Sequence, residues 1–287
     1  MVLIHLHTNV KGVRFFRHTG RILKSAVKNY VYTRTINEFK RNLAKNICEY
    51  DVALITMHGA DDSFILPNPP HRSSRNEYHR AISLEEANLF KRDCVIAIAC
   101  STAKELGPKA IAEGALAYLG YDVLIEPVFK IDIKSKIPMN KMIRKFYQDQ
   151  IKRIYTEVVA SAVEAFIKNF QTVEILKQTI SFQFEKKANE LFDLDASAIE
   201  KKFNWKVNSV LWKKEWPKIK LLQMGIINEI NNHFVIHGDK DYISLIGLYE
   251  GINITDKAKE RILKASFGDE DYERTFNSAI DLKGIVS

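Results

Sequence analysis

Two runs decide how this chain folds: Asp51-Val-Ala-Leu-Ile-Thr-Met-His58-Gly59 and Cys94-Val-Ile-Ala-Ile-Ala-Cys100-Ser101-Thr102. Each is an unbroken apolar stretch of strand length. A strand apolar on both faces needs cover on both, so these two belong inside a parallel sheet flanked by helices. Working outward, Val2 to His7 reads as a first strand, and helical periodicity follows at about 20–30 and 34–49. Residues 60–81 hold Pro67, Pro69 and Pro70, arginines at 72, 75 and 80, and paired serines; that composition reads as one long loop. Ser83 and Glu86 have the spacing of a capping box that opens a short helix reaching about Lys91. The alanine-rich stretch from Lys109 to Leu119 reads as a helix closed by Gly120, and a strand from Asp122 to Val128 follows. The expected fold is α/β, with a mostly parallel sheet of at least four strands.

From about Pro138 the texture changes. Met142, Phe146, Ile151, Ile154, Val158, Val159, Ala162, Phe166 and Ile167 recur at three-and-four spacing, which is the pattern of amphipathic helices. The chain therefore divides into an α/β core over 1–133 and a mainly helical C-terminal region over 134–287 that can pack on it. Trp205, Trp212 and Trp216 fall near one helical face and read as packed core. Phe234-Val-Ile-His237-Gly238 reads as a late strand and turn.

Composition sets the outer limits. With 287 residues, 46% hydrophobic and 27% charged, and only 12 glycines and 7 prolines, the chain is neither collagenous nor disordered. It has no apolar run of the roughly 18 residues that a membrane span needs. Residues 1–16 lack a basic start and a small-residue cleavage site, so they read as a strand instead of a secretory signal, and a cytoplasmic location is expected. Cys48, Cys94 and Cys100 cannot all pair, and a chain of this size can bury a core without disulfides, so the thiols are expected to be reduced. The net charge of +8 arises in residues 1–50, which carry ten basic residues against Glu38 and Glu49. Such a stretch could meet nucleic acid or an acidic partner. Basic and aromatic residues interleave only at Arg14-Phe15-Phe16-Arg17, however, while Lys24, Lys28, Arg34, Lys40, Arg41 and Lys45 fit a solvated helix face. Nucleic acid is accordingly disfavoured as a partner.

Chemistry is expected at the carboxyl ends of the strands, where the loops of a parallel sheet diverge and leave a crevice. One run ends in His58-Gly59 and the other in Cys100-Ser101, so neighbouring strands would bring an imidazole and a thiol to one rim. An imidazole beside a thiol raises the thiolate population that attacks carbonyl carbon, and a helix beginning just beyond Cys100 would add to this. Gly59 allows close backbone approach, so its amide and that of Cys100 would donate to the oxyanion of a tetrahedral intermediate. Asp61 and Asp62, just beyond His58, read either as rim carboxylates that would favour a basic residue before the scissile bond or as solvated turn residues.

Ile55-Thr-Met-His58-Gly59 after one strand, Ala97-Ile-Ala-Cys100-Ser101-Thr102 after another, and then Gly107 and Ala112-Glu-Gly114-Ala115-Leu-Ala-Tyr-Leu-Gly120-Tyr121 resemble the CHAT branch of the caspase-like cysteine peptidases over about residues 50–128. The resemblance implies a sheet sandwiched by helices, a catalytic His in a His-Gly pair and a catalytic Cys on the next core strand. It assigns His58 as general base and proton donor to the leaving amine, and Cys100 as nucleophile. The tripeptide around the thiol is Ala-Cys-Ser where Ala-Cys-Glu is more usual, and the amino-terminal part is shorter and more basic than the family's. The implied protein is a cysteine endopeptidase with a protein substrate, of the kind found in bacterial defence and regulated cell death. Its helical half would recruit a regulatory protein partner.

Other candidates read as structural. Cys94 starts its strand, at the opposite end from His58, and Cys48 sits at a helix end; both read as packing. Cys94 and Cys100 lack metal-ligand spacing, and no GxxxxGK loop occurs, so neither metal nor cofactor is expected. His237-Gly238-Asp239 reads as a turn, His5 and His7 as sharing one strand face, and His71 and His79 as solvent-exposed loop residues. Arg72, Arg75 and Arg80 could make that loop a self-cleavage site. The alternative to a peptidase is a catalytically inactive caspase-like module that holds a protein or nucleic acid.

Overall fold

The computed structural model describes residues 1–45, 50–67, 78–125 and 139–252. Among these, six strands build one sheet: β1 (Val2–His7), β2 (Tyr30–Thr33), β3 (Tyr50–Thr56), β7 (Cys94–Ile98), β8 (Ala117–Tyr121) and β9 (Phe234–Gly238), in the order β2-β1-β3-β7-β8-β9. All are parallel to their neighbours except β9, which runs antiparallel to β8. A small antiparallel sheet, β4 (His58–Ala60), β5 (Ser63–Pro67) and β6 (Tyr78–Ser83), extends from the end of β3. The chain is thus α/β, built on a doubly wound sheet.

The apolar runs are unbroken because both faces are covered. Val52 and Leu54 of β3, with Cys94, Ile96 and Ile98 of β7, face one core cluster; Ala53 and Ile55, with Val95 and Ala97, face the other. The first cluster is closed by α1 (Arg17–Ala26) through Leu23 and by long helices of the C-terminal half. The second is closed by α2 (Ile36–Lys45), which buries Phe39 and Leu43 four residues apart, by the 3-10 segment Leu84–Phe90 and by α3 (Leu106–Ala112). Truncating Leu54, Ile55 or Ile96, each fully buried, to alanine would cost about 2–5 kcal/mol.

The C-terminal half is mainly helical: α4 (Lys141–Lys168), α5 (Val173–Phe192), α6 (Ala196–Phe203), α7 (Ser209–Asn232) and the single turn α8 (Ile246–Tyr249). Side-chain caps start the first four. Asn140 accepts from the amides of Met142 and Ile143, Thr172 from Ile175, Asp195 from Ala198, and Asn208 from Val210 and Leu211. α4 is about 42 Å long at 1.5 Å per residue and packs on both α1 and α5. This half does more than pack on the core. It supplies β9 to the sheet and a segment, Tyr242–Leu245, that hydrogen-bonds to Asp51 at the start of β3.

Several elements differ from the sequence reading. The segment read as helix over 20–30 ends at Ala26, and Tyr30–Thr33 turns back as β2, where Leu3 donates to the Asn29 carbonyl at 2.9 Å. The stretch read as one loop contains β5 and β6, while Cys48, His71, Arg72 and Arg75 lie outside the described residues. The alanine-rich helix stops at Ala112, because Gly114 at φ +100° turns the chain. Residues 117–121 then form β8, so Gly120 is a mid-strand residue packed on Ala97 and not a helix cap. Of the strand expected over Asp122–Val128, residues 122–125 are not strand, and 126–128 lie outside the described residues. Ser83 and Glu86 do form the capping box, opening a 3-10 segment. Trp212 is buried and Trp205 stacks on Phe146 at 4.4 Å, in keeping with packed core, although Trp205 precedes α7 instead of sharing its face. Trp216 is half-buried beneath the Lys220 ammonium.

Candidate active site

β3 and β7 are direct neighbours, so their carboxyl ends reach the same rim. His58 is not the last residue of β3, as the apolar run suggested. β3 ends at Thr56, and His58 opens β4, where the chain swings out of the main sheet. Cys100 lies two residues past the end of β7, and Ser101 then takes a left-handed φ of +55° that reverses the chain. Gly59 locks the two turns together. A Cβ on it would fall 2.5 Å from the Thr102 methyl group, 3.1 Å from the Ala99 Cβ and closer still to the Cys100 carbonyl oxygen. Only a residue without a side chain permits this approach.

His58 and Cys100 line one small pocket. Gly12, Val13, Phe15 and Phe16 from the loop after β1 form one wall, Ile125 stands beyond the end of β8, and Met57, Ile98 and Ala99 complete the lining. His58 is 6% exposed and Cys100 7%, so both are largely shielded from solvent. The His58 Nε2–H donates to the Lys11 carbonyl at 2.7 Å. That bond selects the neutral tautomer with its proton on Nε2 and leaves the lone pair on Nδ1. Tyr78, half-exposed, stands edge-on to the imidazole at 6.0 Å between ring centroids. Neither Cys94 nor Cys100 is disulfide-bonded.

Two further expectations meet different geometry. The helix after Cys100 begins only at Leu106, and the amides of Glu105 and Leu106 at its start donate to the Asp61 carbonyl at 3.1 and 3.0 Å. Its first amides are thereby taken by backbone carbonyls, that of Gly107 by Thr102. Asp61 and Asp62 are absent from the pocket lining: Asp61 pairs with Lys104 at 2.8 Å, and Asp62 pairs with Arg80 and accepts from the Ser63 hydroxyl.

His5, His7 and His237 are structural here. His5 and His7 share a face and are buried in a polar seam with Thr56 and Tyr30. Burial, then the neighbouring His7, holds His5 down to about 3; burial, then Arg17, holds His7 below its ordinary value despite its bond to the Thr56 carbonyl. His237 lies within β9 and not in a turn, and its Nε2–H donates to the Ala103 carbonyl at 2.7 Å, tying the turn after Cys100 to the sheet edge.

The pocket walls escaped the sequence reading. Phe15 and Phe16 were visible as an aromatic pair between arginines, but their ring contact is internal: Phe16 is buried and meets Tyr155 of α4 edge-on at 6.0 Å. Tyr155 in turn hydrogen-bonds to Tyr121, so the helical half supports the pocket from behind.

No protein-family model matches the chain, and no curated protein sequence matches it either. No helix among the described residues is long and apolar enough to cross a membrane.

Proposed function

We propose that this protein is a cysteine endopeptidase of caspase-like architecture, in the CHAT branch, acting in the cytoplasm on a protein substrate. The observation that carries the reading is the convergence of His58 and Cys100 on one pocket at the carboxyl rim of a doubly wound sheet. In this reaction the Cys100 thiol gives its proton to the imidazole lone pair as sulfur bonds the scissile carbonyl carbon. The imidazolium then protonates the leaving amine as the carbon–nitrogen bond breaks. Water hydrolyses the thioester, with His58 taking its proton and the thiol leaving. The amides of Gly59 and Cys100 are the proposed donors to the oxyanion, consistent with the close approach of the two turns. A bacterial defence or cell-death pathway is the setting that the family resemblance favours, with the helical half, which backs the pocket through Tyr155, as the route by which a regulatory partner would act.

One observation favours the alternative of an inactive binding module: both reactive groups are over nine-tenths buried. A cysteine-directed peptidyl electrophile separates the two readings. Covalent labelling is expected at Cys100, lost in Cys100→Ala and slowed about 10²–10⁴-fold in His58→Ala. Labelling that ignores His58→Ala, or no labelling at Cys100, would overturn the peptidase reading.

A further inference from the structure

α7 has two apolar faces, and the core covers only one of them. Trp212, Ile219, Ile226 and Ile230 recur at helical spacing and are each no more than 5% exposed. On the opposite side Val210, Pro217, Leu221 and Met224 follow one another at intervals of seven, four and three residues, which stacks them in a single row. Val210 is 75% exposed, Leu221 56% and Met224 69%, so the row is an outward ridge of the helix and not the wall of a groove. It runs for about 21 Å at 1.5 Å per residue. Single exposed apolar side chains are ordinary on a protein surface, whereas a row of them marks a contact site.

Lysines flank the ridge on both sides. With about 3.6 residues per turn, Lys213 and Lys220 fall on one shoulder, and Lys214 and Lys218 on the other. Residues 201–225 hold seven lysines against one acid, Glu215, which is only 4% exposed. Lys218 meets Glu215 at 3.2 Å, and Lys220 meets Asp193 and lies 4.8 Å over the Trp216 ring, while Lys213 and Lys214 stand exposed beside the ridge. An apolar crest between cationic shoulders suits a helix lying in the surface of an anionic bilayer. The crest enters the boundary between headgroups and acyl chains, and the ammonium groups stay at the level of the phosphates. Other partners fit less well. Two copies joined by this face would set lysine against lysine. A nucleic acid would meet the lysines but leave Val210, Leu221 and Met224 without an apolar partner.

The geometry points to an anionic membrane surface as the partner of α7, held by insertion of Val210, Leu221 and Met224 and by the charges of Lys213 and Lys214. The contact involves neither His58 nor Cys100, so it stands apart from the peptidase reading.

Flotation of the full chain with lipid vesicles tests this. Vesicles of about 30% phosphatidylserine in phosphatidylcholine are expected to bind it about tenfold or more tightly than pure phosphatidylcholine, and less tightly as NaCl rises from about 0.1 to about 0.5 M. Two double variants separate the contributions: Lys213→Gln with Lys214→Gln, and Leu221→Ser with Met224→Ser. Each is expected to weaken binding to the anionic vesicles about tenfold or more. Both are expected to melt with the wild type, because all four side chains are exposed. No binding to the anionic vesicles, equal binding to neutral and anionic vesicles, or binding that either double variant leaves unchanged would overturn the inference. So would a chain that ignores both vesicles but binds a single-stranded oligonucleotide, or sediments as a dimer, until these residues are replaced; the ridge would then belong to nucleic acid or to a second copy.

Discussion

β3 and β7 each have an ionisable or nucleophilic group at or within two residues of both ends, and the two ends have opposite fates. At the carboxyl rim His58 and Cys100 meet at a pocket. At the amino rim Asp51, Asp93 and Cys94 are sealed. Asp51 accepts from the Tyr242 hydroxyl, from the Ser244 hydroxyl at 2.6 Å and from the Leu245 amide at 2.8 Å. Burial, reinforced by Asp51 and Asp93, pushes the Cys94 thiol well above its ordinary range, so it stays protonated and unreactive. Burial and then the Asp51 carboxylate push Asp93 up to about 8. The same strands therefore seal one thiol into the core and carry another to the wall of a pocket. Loops that diverge at the carboxyl rim leave an opening, whereas at the amino rim the segment Tyr242–Leu245 folds over and closes it.

The sharpest way to break this contrast is Gly59→Ala. The added methyl would drive the Cys100 turn away from β4, so kcat/KM on a peptide substrate is expected to fall by about 100-fold, while Cys94 remains unlabelled. Unchanged turnover would mean that the contact between the two turns does not position the dyad.

Asp51→Ala strikes the other rim. It orphans the donors of Tyr242, Ser244 and Leu245 and is expected to cost about 2–4 kcal/mol in urea unfolding, with increased hydrogen exchange over 242–245 and with Cys100 labelling retained. Loss of labelling in a protein that remains folded would show that the two rims are coupled.

The smallest effect is a pH slope. Asp93 has a folded pKa of about 8 against about 3.9 for an unfolded aspartate. The folded chain therefore binds the proton more tightly, and the stability this contributes is complete below about pH 4 and lost as pH rises through about 8. Asp93→Asn is expected to flatten the fall in Tm between about pH 5 and 8.5, as scanning calorimetry would record; an unaltered slope would assign the pH dependence to another group.

What could be read in advance followed from whether a pattern is local. β3 and β7 stood out because strands covered on both faces are apolar throughout. Ser83 and Glu86 were legible because a capping box spans only four residues. β2 was not legible: Tyr30-Val-Tyr-Thr33 lies at the sheet edge, where its partner Leu3-Ile-His-Leu6 is far away in the chain and local periodicity from α1 runs into it. β8 was hidden for a related reason. Alanine and leucine suit either state, and only pairing with Cys94–Ala97 makes residues 117–120 extended.

The candidate pair divides in the same manner. The residue types at 58 and 100, and a glycine after the histidine, are properties of the chain alone, as are the apolar runs that carry them to strand ends. That those ends share a rim, that the loop after β1 walls the space with Val13 and Phe16, that Asp61 and Asp62 turn aside to Lys104 and Arg80, and that a C-terminal segment seals Asp51 were decided by the tertiary structure. Strand and cap signals arise from interactions within a few residues, whereas a pocket wall is set by side chains brought together across the sheet from distant parts of the chain.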